Sequence, residues 1–454
     1  LDDDKGKQKK GAFLKSIWLQ TCAYLYTNKI KPTMLEWSCP GSMMEADINE
    51  LDKIYNSLCK LTPIVGAKTT LAYHQNAVTE AEAVCSYALS QNFGLNSNNM
   101  FLGIDVGGST SDILLLAKDS DNGNKATLYR ESSVRLAAGV FFNAVIKSDT
   151  FRQALLSFHE GHKTSVYVSN IKEILTEPSK APYFLNSIFD QLKTTEDYEE
   201  FYSSIDVNAK FVFTIPAYVT GMLLYYSGML IGKTIKAEHL ERVSRVDVLS
   251  FGKGGRLFHW LINSAGVRAT REYYADCLNA GVRMVVGKEL DVVYRDEIAE
   301  DNKAEVAKGL CDPKELEKKA FSSESDICGE SGVKYIMANG APKELQAEDE
   351  LTGDYFANEM NNFDFSGIEN FEKFMNIFLD FVSVKTHLYP QADNALRSDL
   401  ADLPNRIASY ICNNDTEYRK ARNSEDGSFH YHQPLIIAEG VCFLDTLIKK
   451  VFDQ

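Results

Sequence analysis

The chain has 454 residues, 44% of them hydrophobic, too many for a single compact core and enough for two or three folded units. Its 48 basic and 63 acidic residues leave a formal net charge of −15, which argues against nonspecific binding to nucleic acid or to an anionic membrane surface. Nine scattered cysteines, none spaced as Cys-x-x-Cys, read as the reduced thiols of a cytoplasmic protein.

Residues 1 to 30 open with a charged run from Asp2 to Lys10 and continue as one amphipathic helix, with Phe13, Leu14, Ile17, Trp18 and Leu25 near helical spacing. A short strand is predicted from Thr33 to Pro40. Farther on, Thr79 precedes Glu80-Ala-Glu82 and is the expected N-cap of a helix. No signal peptide is visible and no apolar run reaches membrane-spanning length.

The segment Phe101-Leu-Gly-Ile-Asp-Val-Gly-Gly-Ser-Thr-Ser-Asp-Ile-Leu-Leu-Leu116 is an apolar run interrupted by acids, glycines and hydroxyls. It predicts a β-hairpin with a bend that is nearly free of side chains. Gly107 and Gly108 can take positive φ and let backbone N–H groups approach a polyphosphate, while Ser109 and Thr110 add hydroxyl donors. Asp105 leaves the first strand and Asp112 begins the second, so both carboxylates flank the bend and can hold the water shell of a Mg²⁺ ion.

A polar connection from Lys118 to Lys125 follows, then helical patterns around Phe141 to Leu156 and Ile171 to Leu192, and an apolar segment from Phe211 to Ile231. Gly228-Met-Leu-Ile-Gly-Lys-Thr234 looks like a Walker A loop but has three residues between its glycines where four are required, and it continues a buried-helix pattern. Val246, Val248, Leu249 and Phe251 predict a strand. Gly252, Gly254 and Gly255 then form a strand-to-helix turn where a flat base or ribose can approach the backbone. The helix is expected to start near Arg256, whose guanidinium can stack on a purine ring.

Beyond Cys311, the pair Asn339-Gly340 marks a hairpin turn between Val333 to Met337 and Pro342 to Leu345. Phe371, Phe374, Met375, Phe378 and Val382 share a helical face, with further helices over Leu400 to Ile411 and Leu435 to Phe452. The close histidine pairs His159/His162 and His430/His432 lack the additional ligands that a zinc site needs.

The Phe101–Leu116 segment resembles the second phosphate motif of the actin-like ATPase superfamily, which includes actin, sugar kinases, heat-shock chaperone ATPases and bacterial cell-division and plasmid-partition ATPases. Four further stretches follow in that family's order and carry the resemblance over roughly residues 30 to 311. Thr33 to Pro40 resembles the strand that opens the second lobe. Thr79 to Ala88 resembles a helix start that reads Asn-Glu-Pro-x-Ala-Ala in chaperones, with Ala81 in place of the proline. Arg135-Leu-Ala-Ala-Gly-Val-Phe-Phe-Asn143 is similar to the passage into the outer subdomain. Val246 to Leu257, with Asp301 to Gly309, resembles the adenosine motif and the helix after it.

The resemblance implies an α/β fold, the ribonuclease H-like second lobe of an actin-like ATPase with an inserted outer subdomain and a mainly helical C-terminal extension. The expected divisions are 1–117, 118–245, 246–311 and 312–454. It further implies ATP and Mg²⁺ as ligands, with Gly107, Gly108, Ser109 and Thr110 cradling phosphates and Asp105 and Asp112 holding the metal. Glu80 orients the attacking water, and Gly252, Gly254, Gly255 and Arg256 meet the nucleoside. The output is slow hydrolysis driving lobe closure, with a protein partner meeting the C-terminal extension or the first lobe. Residues 1 to 30 cannot hold that family's first lobe, so the chain is expected to be the C-terminal part of a longer protein and weak in turnover by itself. A nonhydrolysing scaffold or filament protein and a small-metabolite kinase are the alternatives.

Overall fold

Contacts within the computed structural model divide the chain into two units, Leu1–Phe93 with Ala304–Glu315, and Gly94–Lys303 with Leu316–Gln454. The structure describes residues 4–30, 34–39, 43, 45–61, 72–73, 78–90, 95–96, 98–118, 126–161, 195–295, 304–311, 317–318, 327–336, 340–350, 363–365, 367–414 and 433–452. The helical pattern over Ile171 to Leu192, the Lys118–Lys125 connection past its first residue, and His162, His430 and His432 lie outside them.

In the first unit, α1 (Asp4–Thr27) is followed by the two-residue strands β1 (Met34–Leu35) and β2 (Ser38–Cys39), then α2 (Glu45–Leu61), β3 (Ala72–Tyr73), β4 (Val78–Thr79) and α3 (Glu80–Ser90). β1 pairs with β3 and β2 with β4, both in parallel. Trp18 is buried with Leu58 and Cys59, and Leu14 and Cys22 line the same small core. Phe13 and Ile17, expected on that inward face, are instead 64% and 44% exposed. A short helix, Glu305–Cys311, closes the unit against α3, where a side chain on Gly309 would collide with the Ala83 carbonyl.

The second unit is organised by a six-stranded sheet. The strands β5 (Asn99–Val106), β6 (Ser111–Lys118) and β7 (Ala126–Val134) form an antiparallel meander. β8 (Arg245–Phe251) then extends β5 in parallel, and β9 (Asp291–Tyr294) extends β8. A two-residue strand, β10 (Glu317–Lys318), lies beside β7 at the far edge. β5 is central, which explains why its apolar run is continuous rather than alternating: a strand covered on both faces buries both sets of side chains, here all but the half-buried Asp105. This is a mixed α/β fold.

Between β7 and β8 run α4 (Gly139–Lys147), α5 (Asp149–Gly161), α6 (Thr195–Ser204) and α7 (Thr214–Ala237). The helical pattern around Phe141 to Leu156 is divided at Ser148, whose hydroxyl accepts the Phe151 N–H at 3.1 Å and so starts α5. α7, with the turn before it, is long and apolar enough to cross a membrane, contrary to the sequence expectation. The apolar window of that stretch is nevertheless entirely buried inside the protein, as in a core helix. Three of its hydroxyls are satisfied locally, as Thr220, Ser227 and Thr234 donate to carbonyls one turn earlier at 2.7–2.8 Å.

After β8 come α8 (Arg256–Ala265) and α9 (Val267–Val286), which carry the chain across to β9. Gly228 of the Walker look-alike lies inside α7, where a side chain would strike the Leu278 carbonyl of α9. Its glycine therefore serves close helix packing and not phosphate binding. The C-terminal region adds the hairpin β11 (Lys334–Ile336) and β12 (Pro342–Glu344), with Gly340 at φ 79°, and β13 (Phe363–Asp364) beside β11. It then forms α10 (Glu369–Leu379), α11 (Ala392–Asn414) and α12 (Leu435–Phe452). Phe371, Phe374, Met375, Phe378 and Val382 are all buried in the same core as α7, so that stripe is packing surface.

Candidate functional site

The β5–β6 hairpin turns through Gly107, Gly108, Ser109 and Thr110, closed by the Gly107 N–H donating to the Thr110 carbonyl at 2.9 Å. Neither glycine has a positive φ, which corrects the sequence expectation. A side chain is excluded at Gly107 for a different reason: its Cβ would lie 2.8 Å from the Thr110 carbonyl oxygen. Gly108 and Ser109 are exposed, and a Cβ on Gly108 would meet nothing within 4 Å, so the apex is open.

The back of the bend is occupied by protein. The carbonyls of Gly107 and Gly108 accept N–H groups from Ala138 and Gly139 at 3.1 and 3.0 Å, and the Ser111 hydroxyl donates to the Leu136 carbonyl at 2.6 Å. Gly139 must be glycine because a Cβ there would collide with the Gly108 carbonyl. The Arg135–Asn143 segment thus buttresses the hairpin. With the carbonyls tied down behind it, the N–H groups of Gly108, Ser109 and Thr110 have no acceptor among the described residues. That leaves three backbone donors and two hydroxyls on one exposed bend, the donor set a polyphosphate uses.

Asp105 and Asp112 are direct partners in the β5–β6 ladder, one pair behind the Val106–Ser111 pair that opens the bend. Opposed residues of antiparallel strands share a face, so the two carboxylates stand together on one side of the sheet. Asp105 is half-buried and Asp112 is 5% exposed. Burial pushes the Asp112 carboxyl above the usual carboxylate range, and the Ser133 hydroxyl, across from it on β7, only partly offsets this. The Oδ1 atom of Asp112 has no hydrogen-bond partner. A buried, unpartnered carboxylate oxygen beside a second carboxylate fits a cation, and Mg²⁺ in particular, since it takes one or two carboxylates and completes its shell with water and phosphate oxygens. Among the described residues no group of three or more His, Cys, Asp or Glu forms a complete protein cage.

The loop after β8 closes over the same place. Gly252 has φ 68° and stands so near Asp105 that a Cβ would strike its carboxylate oxygen; a Cβ on Gly254 would lie 2.5 Å from the Val106 carbonyl oxygen and 2.7 Å from the Ala138 Cβ. Hairpin, buttress and loop therefore meet around Val106. Gly254 and Gly255 are buried in that junction, while Gly252 and Arg256 remain half-buried, with Arg256 the first residue of α8.

Glu80 belongs to the other unit. There Thr79 caps α3, its hydroxyl accepting the Glu82 N–H at 3.1 Å while the Glu82 carboxylate accepts the Thr79 N–H at 3.2 Å. This reciprocal capping box occupies Glu82 and not Glu80. Sequence reasoning missed Ser133, and it read Ala138 and Gly139 only as part of the Arg135–Asn143 stretch and not as residues that hold the bend. Only the glycine left a signal, as an unexplained small residue at a strand-to-helix corner.

No protein-family model matches this chain, and no curated protein matches it.

Proposed function

We propose that the second unit carries the phosphate-and-metal part of a Mg·ATP site of the actin-like, ribonuclease H-like kind, and that the protein hydrolyses ATP slowly, with lobe closure as the output. The observation that carries this reading is the bend itself: open at Gly108, tied at the back through its carbonyls, and left with unpaired N–H groups beside two acids. The sheet supports it too, as a meander continued by parallel strands whose crossover helix begins at the proposed nucleoside loop.

The bend would hold phosphate oxygens through the Gly108, Ser109 and Thr110 N–H groups and the two hydroxyls. Asp105 and Asp112 would hold Mg²⁺, and the chemistry a bound Mg²⁺ supplies is neutralisation of charge on the phosphate oxygens. Gly252, Gly254 and Gly255 bring the start of α8 against the hairpin, and Arg256 would stack on the base.

Equilibrium dialysis of the chain against labelled ATP tests the reading. Retention in Mg²⁺ that is abolished by a chelator is the expected result, and no retention in either condition overturns it.

A further inference from the structure

Far in sequence from the candidate site, two glutamates meet in the core of the second unit. Glu330, in the loop before β11, and Glu439, on α12, are both 0% exposed. Glu330 is well provided for. One of its oxygens accepts the N–H groups of Ser331 and Asn370 at 2.7 Å each, and the other accepts the Phe371 N–H at 2.9 Å, so its carboxylate caps the start of α10. Glu439 has no such provision, and neither of its oxygens meets a donor. Its immediate polar neighbour is Glu330, which as a carboxylate can only accept.

Among the described residues no Lys, Arg or His pairs with either carboxylate. α7 contributes Tyr218, which feels Glu439, and Tyr225, which feels Glu330 and also Arg283 of α9. The loop contributes Cys328, which feels both glutamates and Asp349. α12 contributes Cys442, which in turn feels Arg406 and Asp445. α10 presents the Asn370 and Phe371 N–H groups. Two full charges side by side in this setting would cost several kcal/mol. A hydrogen bond between two carboxyl groups requires that one of them carry a proton.

We propose that Glu330 and Glu439 share a single proton, Glu439 donating to Glu330, and that this proton is a latch holding α12 to the capped start of α10, released as the pH rises. Burial first, and then the charge of Glu330, raise the Glu439 carboxyl well above the usual range. The direction of the pH effect follows. A folded-state value above the unfolded one means that the folded protein holds more protons, so the stabilisation is complete below about pH 4.5 and is lost steadily as pH climbs toward the folded value.

Glu439→Gln tests this, because a glutamine amide donates to Glu330 at every pH and cannot titrate. The melting temperatures of the variant and of the wild type should be close at pH 5, with the variant higher by at least about 2 °C at pH 8.5. Labelling of buried Cys328 by a thiol reagent at pH 8.5, read peptide by peptide, should be slower in the variant. Glu330→Gln, which weakens the cap, should melt lower at both pH values. A variant-to-wild-type difference that does not change between pH 5 and 8.5 overturns the proposal. If Glu439→Gln does not fold, the infrared carbonyl band of a protonated acid at pH 7 in Asp112→Asn protein decides: its absence also overturns it.

Discussion

Asp112 and Ser133 face each other across the β6–β7 ladder, and the hydroxyl is too little to compensate the burial of the acid. An acid with a raised folded-state value stabilises fully only below its unfolded value, near pH 4, and that contribution is lost as pH rises toward the folded value. Asp112→Asn should therefore raise the melting temperature at pH 7, and the gain should shrink toward pH 4. A thermal melt series across that range measures it. Such a gain on neutralising the proposed metal ligand is what a site kept for binding at a cost in stability predicts.

Gly139→Ala should be costly although it adds a single methyl. The new Cβ collides with the Gly108 carbonyl, a backbone atom that cannot swing aside without moving the bend. The expected loss is about 1–3 kcal/mol in chemical denaturation. Gly108→Ala, at the open apex, should leave stability within about 0.5 kcal/mol, so the pair of variants separates buttress from apex.

Asp247 ties the parallel side of the sheet. It is buried on β8, bonded by Arg245 at 2.8 Å, by Asn99 at 3.1 Å and by Arg295 at 2.8 Å. Burial alone would raise its carboxyl, but the bonds from Arg245 and Asn99 and the Arg295 charge hold it below the usual range. A depressed value stabilises above the unfolded one and is lost as pH falls through the folded one. Asp247→Asn should lower stability by about 2 kcal/mol at pH 7 and by progressively less as acid titration removes the wild-type advantage. Denaturant midpoints at pH 7 and pH 3.5 check both statements.

At the start of α3, capping falls to Thr79 and Glu82 and not to Glu80. Thr79→Ala removes the cap and should cost about 1 kcal/mol, with Glu82→Gln weakening the reciprocal bond. Glu80→Gln, outside the capping box, should cost less than about 1 kcal/mol, the size of a single helix-end charge. Denaturant midpoints of the three variants check that order.

What the sequence disclosed, and what it hid, divides along locality. The hairpin, the start of α8 at Arg256 and the span of α12 are written in neighbouring residues: a run of apolar side chains, a glycine cluster, a helical stripe. Gly340 in its turn belongs to the same class. The buttress was hidden because the reason for Gly139 is a carbonyl on another element, and Ser133 because its place opposite Asp112 depends on strand register. The bend shows the limit from the other side. Gly107 is required by close approach and not by the positive φ that a glycine pair suggests, Gly108 faces open space, and the positive φ at this site belongs to Gly252, pressed against Asp105. The exposure of Phe13 follows from a small first-unit core, which Trp18 and Leu14 already fill on that side of α1.

Calorimetric titration of the chain with ATP in the presence of Mg²⁺, run beside Asp105→Asn, reaches the central claim most directly. Saturable heat in the wild type that disappears in the variant, with both proteins melting at comparable temperature, is the predicted result. Equal heats in the two proteins, or none in either, would contradict a nucleotide site at this bend.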